Sequence, residues 1–207
     1  MTDDERGELK ADLTEAGVKG ADDLGRFVSN TKFFRSSQFD EKNAMPVLLD
    51  ALPTLSEPAV IIAVAGHLRR PWARPKAFPA LLEAFERWAP IDQQAGWALG
   101  DALATAATAT QLDQLLVISR DTALGTTRQM VVYSLGRYRR YPEVAPVLVK
   151  LLDDPDVSLH AISALRRVVG PAAALPLVEQ AARRHEGTPL GRSAAREARK
   201  IRKATSA

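Results

Sequence analysis

Ala145-Pro146-Val147-Leu148-Val149 is one copy of a pattern that recurs along the chain. Met45-Pro46-Val47-Leu48-Leu49, Phe78-Pro79-Ala80-Leu81-Leu82, Leu112-Asp113-Gln114-Leu115-Leu116 and Leu175-Pro176-Leu177-Val178 are the others. Their second positions fall at 46, 79, 113, 146 and 176, so successive copies lie 33, 34, 33 and 30 residues apart. A second column lies between them: Ala65-Gly66-His67-Leu68, Leu99-Gly100-Asp101-Ala102, Leu135-Gly136-Arg137-Tyr138 and Leu165-Arg166-Arg167-Val168. Two interleaved columns with one period mean two elements per repeat, and a fixed period of this size is the mark of a stacked array.

Both elements read as helices. Ala145, Leu148, Val149 and Leu152 fall at i, i+3, i+4 and i+7, and so do Val131, Ser134, Leu135 and Tyr138. That spacing lines one helical face; a half-buried strand would alternate. The punctuation agrees. Asp153-Asp154-Pro155-Asp156 offers a cap, a first-turn proline and acidic residues. Asp92 and Thr188-Pro189 repeat the cap logic, and Gly170-Pro171 ends one helix and opens another. A single helix pair cannot bury its apolar faces alone, whereas stacked pairs make a continuous core. The expectation is an all-α solenoid of about five helix pairs, with repeats near 44–70, 76–105, 110–140, 142–169 and 171–204. Residues 1–43 fit the pattern poorly and are expected to form an N-terminal helical cap and a connecting loop, with the solenoid over 44–204. Within 1–43, Leu9, Leu13 and Ala16 mark one amphipathic helix and Leu24, Phe27 and Val28 a second. Asn30 to Asn43, with Phe33, Phe34 and Phe39, reads as a loop.

Composition narrows the class. With 207 residues and 46% hydrophobic content, the chain can bury a sizeable core. It has no cysteine, which removes disulfides and thiolate metal sites. Met1-Thr2-Asp3-Asp4-Glu5 is acidic where a signal peptide is basic, and the longest apolar stretch, Ala59 to Ala65, is far short of a membrane span. A cytoplasmic protein with no membrane contact is the expectation. Charge is polarised. Residues 1–119 carry 12 basic and 17 acidic side chains, whereas residues 120–207 carry 16 and 8. A basic half can meet nucleic acid or an acidic partner, although interspersed Asp and Glu also describe an ordinary solvated surface.

Thr127-Arg128-Gln129-Met130 through Ser134-Leu135-Gly136-Arg137, and Glu143 through Asp154, resemble HEAT repeats, specifically the subclass first noticed in phycobilin lyases. Asp156-Val157 through Arg167 resembles the start of the next repeat; Ser158 stands where that family often has arginine, and Asp113 replaces its proline. The resemblance is good over 110–185, looser over 44–109 and weak elsewhere. It implies a right-handed superhelix and a scaffold that binds proteins, and since the fold hosts many functions it names no partner.

No motif anchors catalysis. The histidines His67, His160 and His185 show neither i, i+4 pairing nor an HExxH pattern, so no metal site is expected. There is no Gly-rich phosphate loop and no GxSxG, and no cofactor is expected. The candidate surface is instead a ridge of second helices: Gln93, Trp97 and Asp101, then Gln129, Tyr133 and Arg137, then Ser163 and Arg167. In HEAT-like solenoids that ridge lines the concave, partner-contacting side; Trp97 could equally pack against a neighbouring repeat. A Trp and an Asp four apart also occur in HEAT-like alkylpurine DNA glycosylases, which makes DNA the alternative partner. Arg69, Arg70, Arg139, Arg140, Arg166, Arg167, Arg183 and Arg184 fall near helix C-terminal ends. They either complement helix dipoles or form a basic edge for phosphates or acidic groups. The basic tail from Arg192 to Lys203 reads as a terminal capping helix or a nucleic-acid contact. Trp72, between Pro71 and Pro75, sits in what reads as a stiff, extended connection, either as an exposed anchor or as a plug between repeats.

Overall fold

The computed structural model describes residues 4–21 and 39–206, and every regular element among them is a helix. The chain divides into two compact units, Met1–Thr108 and Ala109–Ala207.

The first unit holds α1 (Asp4–Glu15), α2 (Glu41–Ala51), α3 (Pro58–Leu68), α4 (Phe78–Trp88) and α5 (Gln93–Ala106). Packing runs along the chain: α1 on α2, α2 on α3, α3 on α5 and α4 on α5. Leu48, Ile61, Val64, Leu81, Phe85, Leu99 and Leu103 fill the interior. Leu9 and Leu13 are buried as the apolar stripe requires, whereas Ala16 lies past the end of α1 and is exposed. Glu5 ties α1 to the start of α3, its carboxylate accepting from the Ser56 and Glu57 backbone N–H groups at 2.8 and 2.9 Å.

The second unit holds α6 (Leu112–Arg120), α7 (Gln129–Ser134), α8 (Val144–Lys150), α9 (Ser158–Val169), α10 (Pro171–Arg184) and α11 (Pro189–Thr205). α7 and α8 each tighten into a 3₁₀ turn, through Arg137 and Asp153 respectively. α9 is central: α7, α8, α10 and α11 all pack on it. Val131, Ser134, Leu135 and Tyr138 are all buried, so the second-column stripe is the inward face of α7 and its extension.

Several boundaries follow the expected chemistry. Asp92 caps α5, accepting from Ala95 N at 2.8 Å. Thr188 caps α11, accepting from Gly191 N at 3.1 Å, with Pro189 in the first turn. Gly170 turns the chain out of α9 with φ of 84°, and Pro171 starts α10.

Three local expectations need correction. Asp154 does not cap α9, which begins only at Ser158 with no side-chain cap. Asp154 closes the preceding turn instead, accepting from Asp156 N at 3.0 Å, because its other oxygen is already committed to Arg128. The stretch around Trp72 is a 3₁₀ turn, Pro71–Ala73, not an extended segment: proline sets the φ of a first helical residue as readily as that of a strand. Asn43 is not in a loop, because Asp40 caps α2 by accepting from both Asn43 N (3.3 Å) and Asn43 Nδ2 (2.7 Å), so the helix opens at Glu41. Leu24, Phe27, Val28, Phe33 and Phe34 lie outside the described residues.

Candidate functional site

In the second unit, the candidate ridge is carried by two packed helices. On α7, the inward turn of Val131, Val132 and Leu135 sends Tyr133 to the other side, where it is 40% exposed. On α9, burial of Ala161, Ile162 and Leu165 turns Leu159, Ser163 and Arg167 outward, at i, i+4 and i+8. The stripes are tied together at three points. Gln129 Nε2 donates to the Asp156 carbonyl at 2.8 Å. Arg167 lies over the Tyr133 ring, its Cζ 5.3 Å from the centroid. Between them is Gly136: a Cβ there would stand 3.1 Å from both Ala164 Cα and Arg167 Cδ. The missing side chain is what lets the arginine stem cross to the tyrosine. Arg137 is turned toward Tyr138, with its Cζ 5.4 Å from that ring and Nη2 donating to Tyr138 Oη at 3.3 Å.

Sequence reading missed Leu159, which is 47% exposed on the same stripe. The signal was present, since Leu159 is one turn before Ser163 and the Ser163 hydroxyl donates to its carbonyl at 3.0 Å.

In the first unit, Gln93 and Trp97 are exposed on α5 but Asp101 is buried. Its carboxylate forms an ion pair with Arg69, so Asp101 is committed within the fold and does not line an open surface beside Trp97. The reason is one of reach, because Arg69 is the C-terminal cap residue of α3, and α3 packs on α5. Trp97, at 37% exposure, is not a buried plug.

The basic dyads have different surroundings. Arg70 is held by Glu41, with Nε 2.6 Å from Oε2 and Nη2 on Oε1. Burial pushes the Glu41 carboxyl up, but His67, with Nδ1 3.7 Å from Oε1, and the Arg70 guanidinium outweigh it and hold the pKa at about 2. His67 is buried against Phe39, ring centroids 4.4 Å apart. Arg139 and Arg140 are exposed in the turn after α7, Arg166 is half-buried on α9, and Arg183 is exposed at the end of α10. Arg184 grips Asp153 with Nη2 2.7 and 2.9 Å from its two oxygens, and His185 Nε2 reaches the same carboxylate at 2.9 Å. Burial alone pushes the His160 imidazole down.

A cleft of about 600 Å³ opens in the second unit between Arg120, Lys150 and the Asp153–Asp156 turn. At its base Arg128 is completely buried, donating to the Ser119 carbonyl at 2.9 Å and pairing with Asp154 at 2.7 Å. Among the described residues, no group of three or more His, Asp or Glu side chains could hold a metal ion. No helix of the described residues is long and apolar enough to cross a membrane.

Residues 112–200 match the family model for HEAT repeats. No curated protein matches the chain, and no solved structure does. The match and the packed helices of the second unit support HEAT repeats over residues 112–200. HEAT repeats are commonly protein-interaction scaffolds.

Proposed function

We propose that this chain is a non-catalytic scaffold or adaptor that binds a protein partner through the outward stripes of α7 and α9. Within that reading the chain is built of about five right-handed HEAT-like repeats over 44–204. The supporting observation is the exposed group of Tyr133, Leu159 and Arg167. Tyrosine and arginine are among the side chains that dominate binding energy at protein interfaces, and Leu159 adds exposed apolar area beside them. Gln129 and Ser163 place polar groups beside them, each donating to a backbone carbonyl, in keeping with a polar interface rim. Arg167 is already held over Tyr133, so little side-chain freedom is lost when a partner covers the pair. Gln93 and Trp97 on α5 are a second candidate contact of the same kind, in the first unit.

The test is a paired capture experiment from the native extract, comparing the wild-type chain with Tyr133→Ala/Leu159→Asp. Both positions are exposed, so the variant should keep its circular dichroism and melting temperature. The reading expects at least one protein to be recovered with the wild type and lost with the variant. Recovery of the same proteins in equal amounts by both forms counts against it.

A further inference from the structure

The last helix carries a feature that the protein-binding reading does not use. α11 buries Gly191, Ala194, Ala198 and Ile201 against its neighbours. Arg192, Arg196, Arg199 and Lys203 are all exposed. At 100° per residue these four fall within about 60° of arc, on the side of the helix away from the buried stripe. With a rise of 1.5 Å per residue, they form a line about 16 Å long. The neighbouring cations are neutralised: Lys200 pairs with Glu197 at 2.7 Å and Arg202 pairs with Glu179. The four in line are not. Arg192 donates to the Gly187 carbonyl at 2.9 Å and Arg196 to Ser193 Oγ at 3.5 Å, and among the described residues no carboxylate pairs with any of them.

We propose that this stripe is a contact for the phosphodiester backbone of a nucleic acid. The character of the face selects the partner. A protein interface needs apolar or aromatic anchors at its centre, and no large apolar side chain of α11 is exposed. A helix that lies on a membrane needs an apolar face to insert, and the apolar face of α11 is already buried in the fold. A phosphate backbone needs only cations in a line, because release of condensed counterions supplies the affinity. Three of the four are arginines, whose guanidinium matches phosphate oxygens in pairs. One strand carries a phosphate about every 3.4 Å along the duplex axis, so the line spans roughly five nucleotides.

The test uses the full chain and a fluorescein-labelled duplex of mixed sequence, about 20 base pairs long, read by anisotropy from about 50 to 200 mM NaCl. Four phosphate contacts give a logarithmic salt slope near −3.6, so wild-type affinity should fall about 150-fold across that range. The variant R192Q/R196Q/R199Q/K203Q should lose at least about tenfold in affinity at 50 mM and most of its salt slope. A control that removes the same charge elsewhere in the unit, R120Q/R139Q/R140Q/R183Q, should stay within about threefold of wild type. Circular dichroism of both variants shows whether the fold is kept. A single-stranded RNA of equal length is the second probe, and binding of either nucleic acid with the four-cation slope supports the proposal. Absence of saturable binding at 50 mM to either probe overturns it, and so does equal loss in the control variant. Displacement of the duplex by poly-glutamate at equal charge concentration, or binding to phosphatidylserine vesicles in preference to both nucleic acids, also overturns it.

Discussion

Arg128 and Asp154 form the most demanding interaction in the second unit. Arg128 is completely buried, while the Asp154 side chain keeps 12% exposure at the mouth of the cleft. Their roles are therefore unequal. Asp154→Ala leaves a buried guanidinium with only the Ser119 carbonyl, which costs about 3–5 kcal/mol. It also removes the acceptor for Asp156 N, about 1 kcal/mol more. Arg128→Met fills the channel with an apolar arm of similar length and leaves an aspartate that water can reach, a loss of about 1–2 kcal/mol. The double variant has no stranded charge, so it should be less damaged than Asp154→Ala alone, with a coupling of about 2–3 kcal/mol. All three tyrosines, Tyr133, Tyr138 and Tyr141, lie in the second unit and all three tryptophans, Trp72, Trp88 and Trp97, in the first. Urea unfolding followed by the tyrosine band in second-derivative absorbance, which separates it from the overlapping tryptophan band, therefore reads the relevant unit. With a slope of about 2 kcal/mol per molar, Asp154→Ala should move the midpoint by roughly 2–3 M. A shift below about 0.3 M, or losses that simply add in the double variant, would refute the assignment of this pair as a buried, mutually dependent unit.

Gly66 and Gly136 occupy the same column but have different surroundings. Nothing lies within 4 Å of a Cβ built at Gly66, inside α3, so Gly66→Ala should stabilise the chain by about 0.5–1 kcal/mol in thermal unfolding. Gly136→Ala meets the α9 backbone and the Arg167 stem, so overpacking of about 1–3 kcal/mol offsets the helix-propensity gain, and no stabilisation is expected. Thr188→Ala removes the α11 cap and should lower stability by about 1 kcal/mol, measurable as a urea midpoint shift. The Glu41 carboxyl has a folded pKa of about 2, below its ordinary value of 4.5, so its contribution is fully present above about pH 4.5 and is lost as pH falls toward 2. The melting temperature of wild type should therefore exceed that of Glu41→Gln at neutral pH and converge on it through that acidic window; an unchanged difference at pH 2 would remove the assignment.

Helix identity and order were legible because they rest on short-range rules. Asp92, Thr188 and Gly170 act at the positions their chemistry indicates, and the second-column stripe through Val131 and Tyr138 is buried. What failed depends on contacts distant in sequence. Asp154 reads as a helix cap until Arg128, 26 residues earlier, claims its carboxylate. Asp101 reads as part of an open ridge until Arg69, 32 residues earlier, reaches it. No local pattern announces either partner. Arg128 stands in the sequence only as part of the Thr127-Arg128-Gln129-Met130 motif, and full burial of a charge is visible only once the fold closes around it. Leu159 is the opposite case: one turn before Ser163, its place on that stripe follows from helical periodicity alone. Charge polarity along the chain was countable from composition, but the alignment of Arg192, Arg196, Arg199 and Lys203 against a buried alanine face needed the helix limits.

A protein partner seated on the paired stripes of α7 and α9 lies within reach of a reactive side chain placed there. Site-specific photo-crosslinking tests it most directly. A photoreactive amino acid is placed at Leu159, and as a control at Val117, which is exposed on α6. The expected result is a discrete crosslinked protein from the Leu159 position in living cells, absent from the Val117 position and abolished by Tyr133→Ala. Identical adduct patterns from both positions, or a Leu159 adduct indifferent to Tyr133→Ala, would contradict it.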